Sequence, residues 1–390
     1  MRITQRLTGI GASQTMMVMQ RAQELRSRGI DVIDLGPGQP DFPTPDAVKQ
    51  AGIAAIDANF TNYTPAAGIL ELRQSVADTY NRDWGTRFDA GNVIITSGAK
   101  HALFDACMAV FQEGDEVLIP CPYWVTFPEI VKICGGVPVE VPTDERDRFI
   151  LSPDEVSARV TPQTRGLVVN TPNNPTGAII PPAHLAELVE IARSRDLFLL
   201  FDETYDRFTY AGKKHTSLAA SVRDSDEAYA IVGSFSKTYS MAGWRIGYCV
   251  GPKPLIAKLI EFQSHQTGNP TSVSQKAAVV ALQLGAKAFE PMRVEYERRR
   301  DYVLKALDGI NGFRCPQPDG TFYVFPNVEG AMKATGMGNS HEFSNFLLQE
   351  ARVATVPGSA FGLEGYIRLS YATSLDRLQQ GLERIRSVVS

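Results

Sequence analysis

The sequence predicts an α/β protein in which a large domain, built on a mostly parallel sheet flanked by helices, is joined to a smaller α+β domain. Three observations support this fold class. Between residues 93 and 232, short apolar runs alternate with stretches in which apolar residues recur at helical spacing. After residue 285 the pattern changes to a long Arg-rich helix followed by short strands. The length of 390 residues is typical of two or three domains.

Six apolar runs predict the strands of the large sheet. They lie at residues 93–96, 117–119, 137–141, 167–170, 197–201 and 228–232. Helical spacing at 103–111 and 185–192 predicts two of the connecting helices. Strands that alternate with helices pair in parallel and are covered on both faces. The ligand of such a sheet is expected outside the carboxyl ends of its strands.

The remaining segments predict the smaller domain. Its C-terminal part has a helix at 294–306, short strands at 321–325, 353–356 and 366–370, and a helix from residue 375. A helix at 18–28 and a Gly/Pro-rich turn at 36–43 are assigned to the same domain; the turn is either a plain linker or a place where backbone approaches a ligand. We therefore expect a large domain at 46–285 and a small domain formed by 1–45 and 286–390.

Composition narrows the class of partner. The net charge of −4 gives no basic surface for nucleic acid or an anionic membrane, so neither is an expected partner. No apolar stretch approaches the ~18 residues of a membrane span, and the apolar cluster at 16–19 is too short for a signal segment. Five widely spaced cysteines indicate buried thiols in a reducing compartment, and we expect a cytoplasmic protein with no metal site.

Lys237 is the first candidate for chemistry. It follows the predicted strand at 228–232, where a lysine is costly unless its charge is neutralised or used. A desolvated lysine amine can form a Schiff base with an aldehyde. Ser234 and Arg245, three residues before and eight after it, suit a phosphate as hydroxyl donor and two-pronged cation. An aldehyde with a phosphate indicates pyridoxal 5′-phosphate (PLP); the alternative is a strand-end lysine in a Gly/Ser loop.

Two polar motifs follow neighbouring predicted strands. Asn174 stands in an Asn-Pro sequence after the strand at 167–170 and can direct its amide at a ligand, or simply form a loop turn. Asp202 ends an apolar strand, where a carboxylate requires a cation such as a pyridinium nitrogen. Tyr205 can donate a hydrogen bond to the phenolic oxygen of the same ring. The alternative for Asp202 is a helix N-cap.

Two further segments suit the phosphate and the ring. Gly98, Ala99 and Lys100 lie between the strand at 93–96 and the start of a helix, so that free backbone N–H groups could bind a phosphate. Trp124 follows the strand at 117–119 and could stack on a heterocycle. The alternatives are an ordinary small-residue turn and a structural core tryptophan.

Together these residues resemble the fold-type-I PLP aminotransferases, the aspartate aminotransferase superfamily, and the resemblance implies PLP fold type I. The matching residues span nearly the whole chain: Tyr63, Gly98-Ala99-Lys100, Trp124, Asn174-Pro175-Thr176-Gly177, Asp202, Tyr205, Ser234, Lys237, Arg245 and Arg368. Three segments, at 63–68, 122–125 and 241–248, are most similar to the bacterial class Ib aspartate aminotransferases, some of which also accept prephenate.

The resemblance implies a role for each residue around the ring. Lys237 would carry PLP and shuttle the substrate proton, while Asp202 would pair with the ring nitrogen. Asn174 and Tyr205 would bind the ring oxygen. Trp124 would stack on the ring and, with Asn174, contact the substrate.

The resemblance also implies the phosphate contacts. Ser234, Arg245 and the backbone of Gly98, Ala99 and Lys100 would hold the phosphate of the same subunit. Tyr63 would reach the phosphate of the neighbouring subunit. We therefore expect a homodimer in which the two subunits share their active sites.

Substrate carboxylates are assigned in the same way. Arg368 resembles the residue that clamps the α-carboxylate, which suits its guanidinium fork; the alternative is a surface arginine on an edge strand. The backbone of Gly38 would contact the same carboxylate.

Two positions depart from the commoner family patterns. Thr204 stands beneath the ring, where relatives often carry alanine or isoleucine. Ser264 stands where the animal and enterobacterial branch has a partner-subunit arginine for the side-chain carboxylate of aspartate. Class Ib enzymes resemble this chain in having a lysine at the position of Lys100, helped by a hydroxyl near Ser13, and the alternative for Lys100 is a solvated lysine at a helix start.

The function that the resemblance implies is PLP-dependent transamination by a ping-pong mechanism, with amino-acid and 2-oxo-acid substrates. L-Aspartate with 2-oxoglutarate is the leading pair. Prephenate or glutamate, aromatic amino acids and alanine are alternative substrates. A PLP-dependent C–S β-lyase on the same fold is an alternative reaction, because it would share the whole cofactor site.

Overall fold

The computed structural model of this chain describes residues 4, 8–11, 14–222 and 228–389. Its centre is a seven-stranded sheet with the strand order β2-β8-β7-β6-β5-β3-β4. The strands are β2 (Val93–Thr96), β3 (Glu116–Cys121), β4 (Val137–Pro142), β5 (Thr164–Asn170), β6 (Phe198–Asp202), β7 (Tyr229–Ser234) and β8 (Gly247–Val250). No helix in the described stretches combines the length and the apolar character needed to cross a membrane.

The sheet is mostly parallel, which confirms the predicted fold class. All six predicted strands form, and the strands from β4 to β7 pair in parallel. The prediction missed β8, which is antiparallel to both β2 and β7. β8 is four residues long and opens on a glycine, and its place in the sheet depends on its pairing with β2 and β7.

Helices cover the sheet on both faces. They are α2 (Asp46–Asp57), α3 (Leu70–Trp84), α4 (Ala99–Val110), α5 (Thr126–Ile133), α6 (Pro153–Ser157), α7 (Pro182–Arg195), α8 (Lys253–Gln266) and α9 (Ser272–Leu284), and an earlier helix, α1 (Gln14–Ser27), precedes β1 (Ile33–Asp34). Along β6, Leu199 and Phe201 pack in one apolar cluster while Phe198 and Leu200 pack in another. Successive strand residues point to opposite faces, so a strand covered on both faces is apolar throughout.

A second group of elements lies C-terminal to the large sheet. It contains α10 (Glu290–Leu307), β9 (Tyr323–Val324), α11 (Glu329–Thr335), α12 (Ser340–Phe346), β10 (Val353–Ala354), β11 (Val356–Pro357), β12 (Ile367–Ser370) and α13 (Leu375–Val389). Strands β11, β12 and β9 form an antiparallel sheet, and β10 pairs in parallel with β1. The single strand predicted at 353–356 is therefore two strands, because the chain leaves one sheet and enters another at Thr355.

The N-terminal segment joins this second group. In addition to the β1–β10 pairing, Ala22 and Val32 pack with Leu348 and Ala354 in one buried cluster. The exact domain boundaries, 46–285 against 1–45 and 286–390, stay a prediction.

The register of the sheet brings the predicted motifs to one edge. Strands β5, β6 and β7 end at Asn170, Asp202 and Ser234, and the pairing places Asn170 beside Asp202. Because β8 runs in the opposite direction, its first residue, Gly247, is paired with both Ser234 and Thr96. The carboxyl ends of four strands and the start of a fifth therefore meet at the edge where a ligand is expected.

Candidate active site

A cavity of about 280 Å³ opens at this edge of the sheet. Its walls come from strand ends, from the start of α4, from the N-terminal turn and from β9 and β12. The lining residues are Gly36, Gly38, Ala99, Lys100, Trp124, Asn170, Asn174, Asp202, Thr204, Tyr205, Ser234, Ser236, Lys237, Arg245, Tyr323 and Arg368. Most of the residues predicted from sequence for the site therefore share one cavity.

Lys237 lies three residues beyond the end of β7, and its amine points into the cavity. Burial lowers the pKa of Lys237 to about 8, and the positive charges of Arg368 and Arg245 act in the same direction. The carboxylate of Asp202 acts in the opposite direction but does not outweigh them. The Nζ atom donates a hydrogen bond to the carbonyl oxygen of Gly38. A lysine in this setting releases its proton nearer to neutral pH than a solvated one, as a nucleophilic amine requires.

Asp202 is the last residue of β6 and is 5% exposed. Burial raises the pKa of its carboxyl group to about 6, against the effect of hydrogen bonding from Thr204. The backbone N–H of Thr204 donates to Oδ1 at 2.9 Å. The residues that follow form turns and no helix, so the helix N-cap alternative is wrong. A cation beside this carboxyl group would stabilise its ionised form.

Arg245 and the start of α4 form a candidate anion cradle. The Nη2 atom of Arg245 donates to the carbonyl oxygen of Ser97 at 3.3 Å, and Nη1 donates to that of Ala242 at 2.9 Å. Arg245 itself adopts a left-handed backbone conformation, with φ of 51°. A Cβ on Gly98 would lie 2.4 Å from Nη2, so this close approach requires glycine. The first N–H groups of α4 have no partner within the helix and are free to bind an anion.

Ser234 completes this side of the cavity. It is the last residue of β7, and its Oγ atom accepts a hydrogen bond from the backbone N–H of Ser236 at 3.0 Å. The hydroxyl proton is left to donate toward a ligand.

Arg368 lies on β12, between β11 and β9, and is 2% exposed. The alternative of a surface arginine on an edge strand is therefore wrong. Nη1 donates to Oδ1 of Asn174 at 3.0 Å, and Nη2 donates to the carbonyl oxygen of Gly36 at 2.7 Å. The guanidinium carbon lies 4.3 Å from the centre of the Tyr323 ring, and Nε has no hydrogen-bond partner among the described residues. This arrangement holds the guanidinium plane in one orientation for a planar anion.

Aromatic side chains form the remaining walls. The hydroxyl groups of Tyr205 and Tyr323 lie 2.8 Å apart. Trp124 is half-buried and lines the cavity, so it is not a fully enclosed core residue. The ammonium group of Lys100 lies 5.0 Å from the centre of the Trp124 ring. Partial burial, with the charge of Arg245, lowers the pKa of Lys100, which lines the cavity while keeping contact with solvent.

Three predicted residues are not among those lining the cavity. Gly98 lies behind the guanidinium of Arg245. Tyr63 is on the surface, with 98% of its area exposed. Ser13 is outside the described residues.

Sequence reasoning did not assign a role to several lining residues. Gly36, Asn170 and Ser236 stand near residues that the sequence had already assigned to the site, so their motifs could have predicted them. Tyr323 gave only the signal of a short apolar strand, and its contact with Arg368 depends on the pairing of β9 with β12.

Comparison with known proteins gives consistent matches over nearly the full length. The family model described as "Aminotransferase class I and II" matches residues 30–385. An aspartate aminotransferase of Geobacillus stearothermophilus is 41% identical over 99% of this chain and 98% of its own length. An aspartate/prephenate aminotransferase of Nitrosomonas europaea is 38% identical, with all of both chains covered. The solved structure of the Thermus thermophilus aspartate aminotransferase with maleate has a TM-score of 0.94 at 38% identity and covers 100% of both chains.

The lowered pKa of Lys237 gives a testable pH dependence. In protein freed of small molecules, the reaction of Lys237 with a small amine-directed reagent should rise through a midpoint near pH 8, because the neutral amine is the reactive form. Arg368→Met removes a nearby positive charge that disfavours the ammonium form, so the midpoint should move to higher pH. Labelling at pH values from about 6 to about 11, quantified by mass spectrometry, measures both midpoints. Exposed Lys258 serves as the control for the intrinsic pH dependence of the reagent. A midpoint unchanged by Arg368→Met would contradict the electrostatic assignment.

Proposed function

This chain belongs to the class I and II aminotransferases, and on that premise we propose that it transfers the amino group of L-aspartate to 2-oxoglutarate in a ping-pong cycle with PLP as cofactor. The observation that carries the proposal is the buried amine of Lys237, which shares one cavity with the buried carboxyl of Asp202 and the buried guanidinium of Arg368. An amine that can link to an aldehyde, a carboxylate for a ring nitrogen and a clamp for a carboxylate are the groups that this reaction requires.

The residues present fit PLP. The cavity of about 280 Å³ is just below the usual range for small-molecule sites, about 300–1,000 Å³, which suits a compact cofactor. At one end, Arg245 and the start of α4 are packed so closely that a Cβ on Gly98 would collide with the guanidinium, which suits a compact anion such as phosphate. Near the other end lies the buried carboxyl group of Asp202, with the side chain of Thr204 beside it. These are the two ends that the phosphate and the ring nitrogen would occupy.

When bound, PLP supplies an electron-withdrawing ring that stabilises negative charge at the substrate α-carbon. Asp202 would hold a proton on the ring nitrogen through an ion pair, which would also keep its own carboxyl group ionised despite burial. Asn174 and Tyr205 would donate hydrogen bonds to the ring oxygen, and Trp124 would stack on the ring. Ser234, Arg245 and the backbone of Gly98, Ala99 and Lys100 would hold the phosphate.

Lys237 moves the substrate proton. With a pKa lowered to about 8, part of its amine is unprotonated near neutral pH, so Nζ can take the proton from the substrate α-carbon. The same amine would then return the proton at C4′ of the cofactor. Its hydrogen bond to the carbonyl of Gly38 brings Nζ to the N-terminal turn, whose backbone is proposed below to contact the substrate.

Arg368 binds the α-carboxylate of the substrate. Its guanidinium is held by Asn174, by the Gly36 carbonyl and by the Tyr323 ring, so little side-chain entropy is lost when a carboxylate binds. The turn at Gly38 leaves no room for a side chain, because a Cβ there would lie 2.7 Å from the Tyr323 hydroxyl. Backbone of this turn is therefore available to the same carboxylate.

Lys100 selects a substrate with a second carboxylate. Its ammonium group lies at the Trp124 face of the cavity. Ser264 supplies no cation, and its hydroxyl donates instead to the carbonyl oxygen of Glu261 at 2.6 Å. The relative from Nitrosomonas europaea is named for both aspartate and prephenate, and both acids carry a second carboxylate, so prephenate is the second candidate substrate. A hydroxyl from Ser13 is proposed to assist Lys100.

The assignment of Lys237 is tested by Lys237→Ala. The variant should still bind PLP through the phosphate cradle, but it should lose the covalent link that borohydride reduces and more than about a hundredfold in kcat. Lys258→Ala, at a lysine whose side chain is 71% exposed, is the matched control and should behave as wild type. Turnover within tenfold of wild type in Lys237→Ala (roughly 1.4 kcal/mol) would refute the assignment.

The reaction itself is tested in the same series with wild-type protein. Aspartate alone should release one equivalent of oxaloacetate per active site, and further release should require 2-oxoglutarate. Continued formation of pyruvate and ammonia from a cysteine conjugate, with no need for an oxo acid, would indicate the C–S β-lyase instead.

The role of Lys100 is tested by Lys100→Met, which keeps the length of the side chain and removes its charge. We expect kcat/KM for aspartate to fall about tenfold or more, because an ion pair in a partly desolvated pocket is lost, while phenylalanine and alanine are spared. Lys258→Met is the control for a general loss of surface charge. If all donors fall equally, Lys100 serves the cofactor phosphate, and if none falls it is only a solvated lysine at the start of a helix.

We also propose that the protein is a homodimer with shared active sites. Tyr63 is 98% exposed, and Ile53, Ile56 and Leu70 are exposed apolar residues of the same part of the chain. Several exposed large apolar side chains within 18 consecutive residues (53–70) are expected where this part of the chain forms a protein interface. Tyr63 would reach the phosphate bound by the partner subunit.

Sedimentation velocity tests the dimer. Wild type should sediment as a dimer at assay concentration. Mixed Tyr63→Ala and Arg368→Ala subunits should recover activity in heterodimers, provided that each variant alone is severely impaired, because one of the two shared sites would then be intact. A fully active monomer would contradict the proposal.

A further inference from the structure

A buried His–Asp pair lies directly behind the candidate phosphate cradle. His101 and Asp105 are one turn apart on α4, and their side chains are 10% and 1% exposed. The Nε2 atom of His101 lies 3.3 Å from Oδ2 of Asp105 and 2.5 Å from Oε1 of Gln266 on α8. The contact between His101 and Asp105 does not meet hydrogen-bond geometry, and neither carboxyl oxygen of Asp105 has a hydrogen-bond partner of good geometry among the described residues. Burying a carboxyl group without a hydrogen-bond partner costs free energy, which indicates that Asp105 has a role beyond packing.

The other ring nitrogen of His101 contacts the cradle. The backbone N–H of Ser97 donates to Nδ1 of His101 at 3.2 Å. Nδ1 must therefore be unprotonated, and the proton of the neutral imidazole is on Nε2, where it faces Asp105 and Gln266. Gln266 accepts the hydrogen bond from this nitrogen, and the carboxyl group of Asp105, 3.3 Å away, favours a proton there through its charge.

The Ser97 peptide links this pair to Arg245. While its N–H is held by His101, the carbonyl oxygen of Ser97 accepts the 3.3 Å hydrogen bond from Nη2 of Arg245. Gly98 follows, with its Cα so close to Arg245 that a Cβ would collide. The N–H and the C=O of Ser97 belong to adjacent peptide groups, so a shift of the Ser97 backbone would disturb the guanidinium of Arg245 and the first N–H groups of α4 together.

We propose that Asp105 and His101 are positioning residues for the phosphate cradle: they hold the Ser97 peptide, and through it Arg245, in the arrangement that binds the cofactor phosphate. The inference rests on the proposed function, because it takes the anion to be the phosphate of PLP. Burial raises the pKa of Asp105 to about 7, against the effect of the Gln266 amide, in keeping with a carboxyl group whose polar contacts are few. The pair touches neither the ring nor the substrate positions proposed above.

A plain helix cap is the competing explanation, since side chains in a first helical turn often bond back to preceding N–H groups. The two explanations differ in what a variant changes. Loss of a cap lowers the stability of the protein whatever the ligand. Loss of a positioning contact lowers the affinity for a ligand that carries phosphate, relative to the same ligand without it.

The experiment measures apparent dissociation constants of the cofactor-free protein for PLP and for pyridoxal, which lacks the phosphate. In His101→Leu the constant for PLP should rise about fivefold, the effect of one net hydrogen bond, while that for pyridoxal stays unchanged. His101→Asn can place an amide oxygen where Nδ1 stood, so it should restore most of the preference for PLP. Asp105→Asn should weaken PLP binding by a smaller factor in the same direction, because an amide no longer enforces the tautomer.

Thermal unfolding of each cofactor-free variant is followed alongside. Equal losses of PLP and pyridoxal affinity, or an unchanged ratio in His101→Leu, would overturn the inference, as would a His101→Asn protein no better than His101→Leu at matched stability. A wild-type ratio in Asp105→Asn would overturn the part assigned to Asp105. These failures are distinct from failure of the proposed function, in which wild type itself would show neither a preference for PLP over pyridoxal nor a borohydride-reducible link at Lys237.

Discussion

The site depends on one constraint: a sheet covered on both faces leaves its strands no place for polar side chains except at their ends. Strands β6 and β7 are buried along their whole length and β5 is buried from Gly166 onward, and the polar residues Asn170, Asp202 and Ser234 stand at their last positions. Parallel pairing then brings these ends together. The polar side chains of the site are thus brought together because the strands between them must be apolar to be buried.

The charges of the cavity follow from this assembly. Lys237, Arg368, Arg245 and Lys100 are near enough to influence one another, and Asp202 is the opposing charge. Burial, together with the mutual repulsion of these four cations, lowers the pKa of both lysines, and the single carboxylate does not balance the positive charge. Anionic ligands relieve this imbalance. The same arrangement therefore favours binding of a phosphate and of carboxylates, and prepares Lys237 to act as a neutral amine.

The sequence was sufficient for features encoded locally, and insufficient for those that depend on pairing. Lys237, Asp202 and Ser234 could be recognised because each follows an apolar run whose end predicts its position. The strand β8 and the break at Thr355 were missed because both are defined by strand pairing, which joins segments distant in sequence. Tyr323 and the His101–Asp105 pair were not predicted either, since the contacts of Tyr323 with Arg368 and of His101 with Gln266 join segments distant in sequence. Tyr63 was recognised from a motif alone, because the contact predicted for it lies in a second subunit.

Arg245 shows how function limits stability at one position. Its φ of 51° is a conformation that costs a residue with a side chain about 1–2 kcal/mol and costs glycine almost nothing. Glycine would thus suit the backbone there better, but it would remove the guanidinium that binds Ser97 and borders the cradle. Selection for stability would favour glycine at position 245, while selection for the binding site favours arginine. Searches for thermostable variants that rank substitutions by backbone preference alone would choose the one replacement that abolishes the cradle.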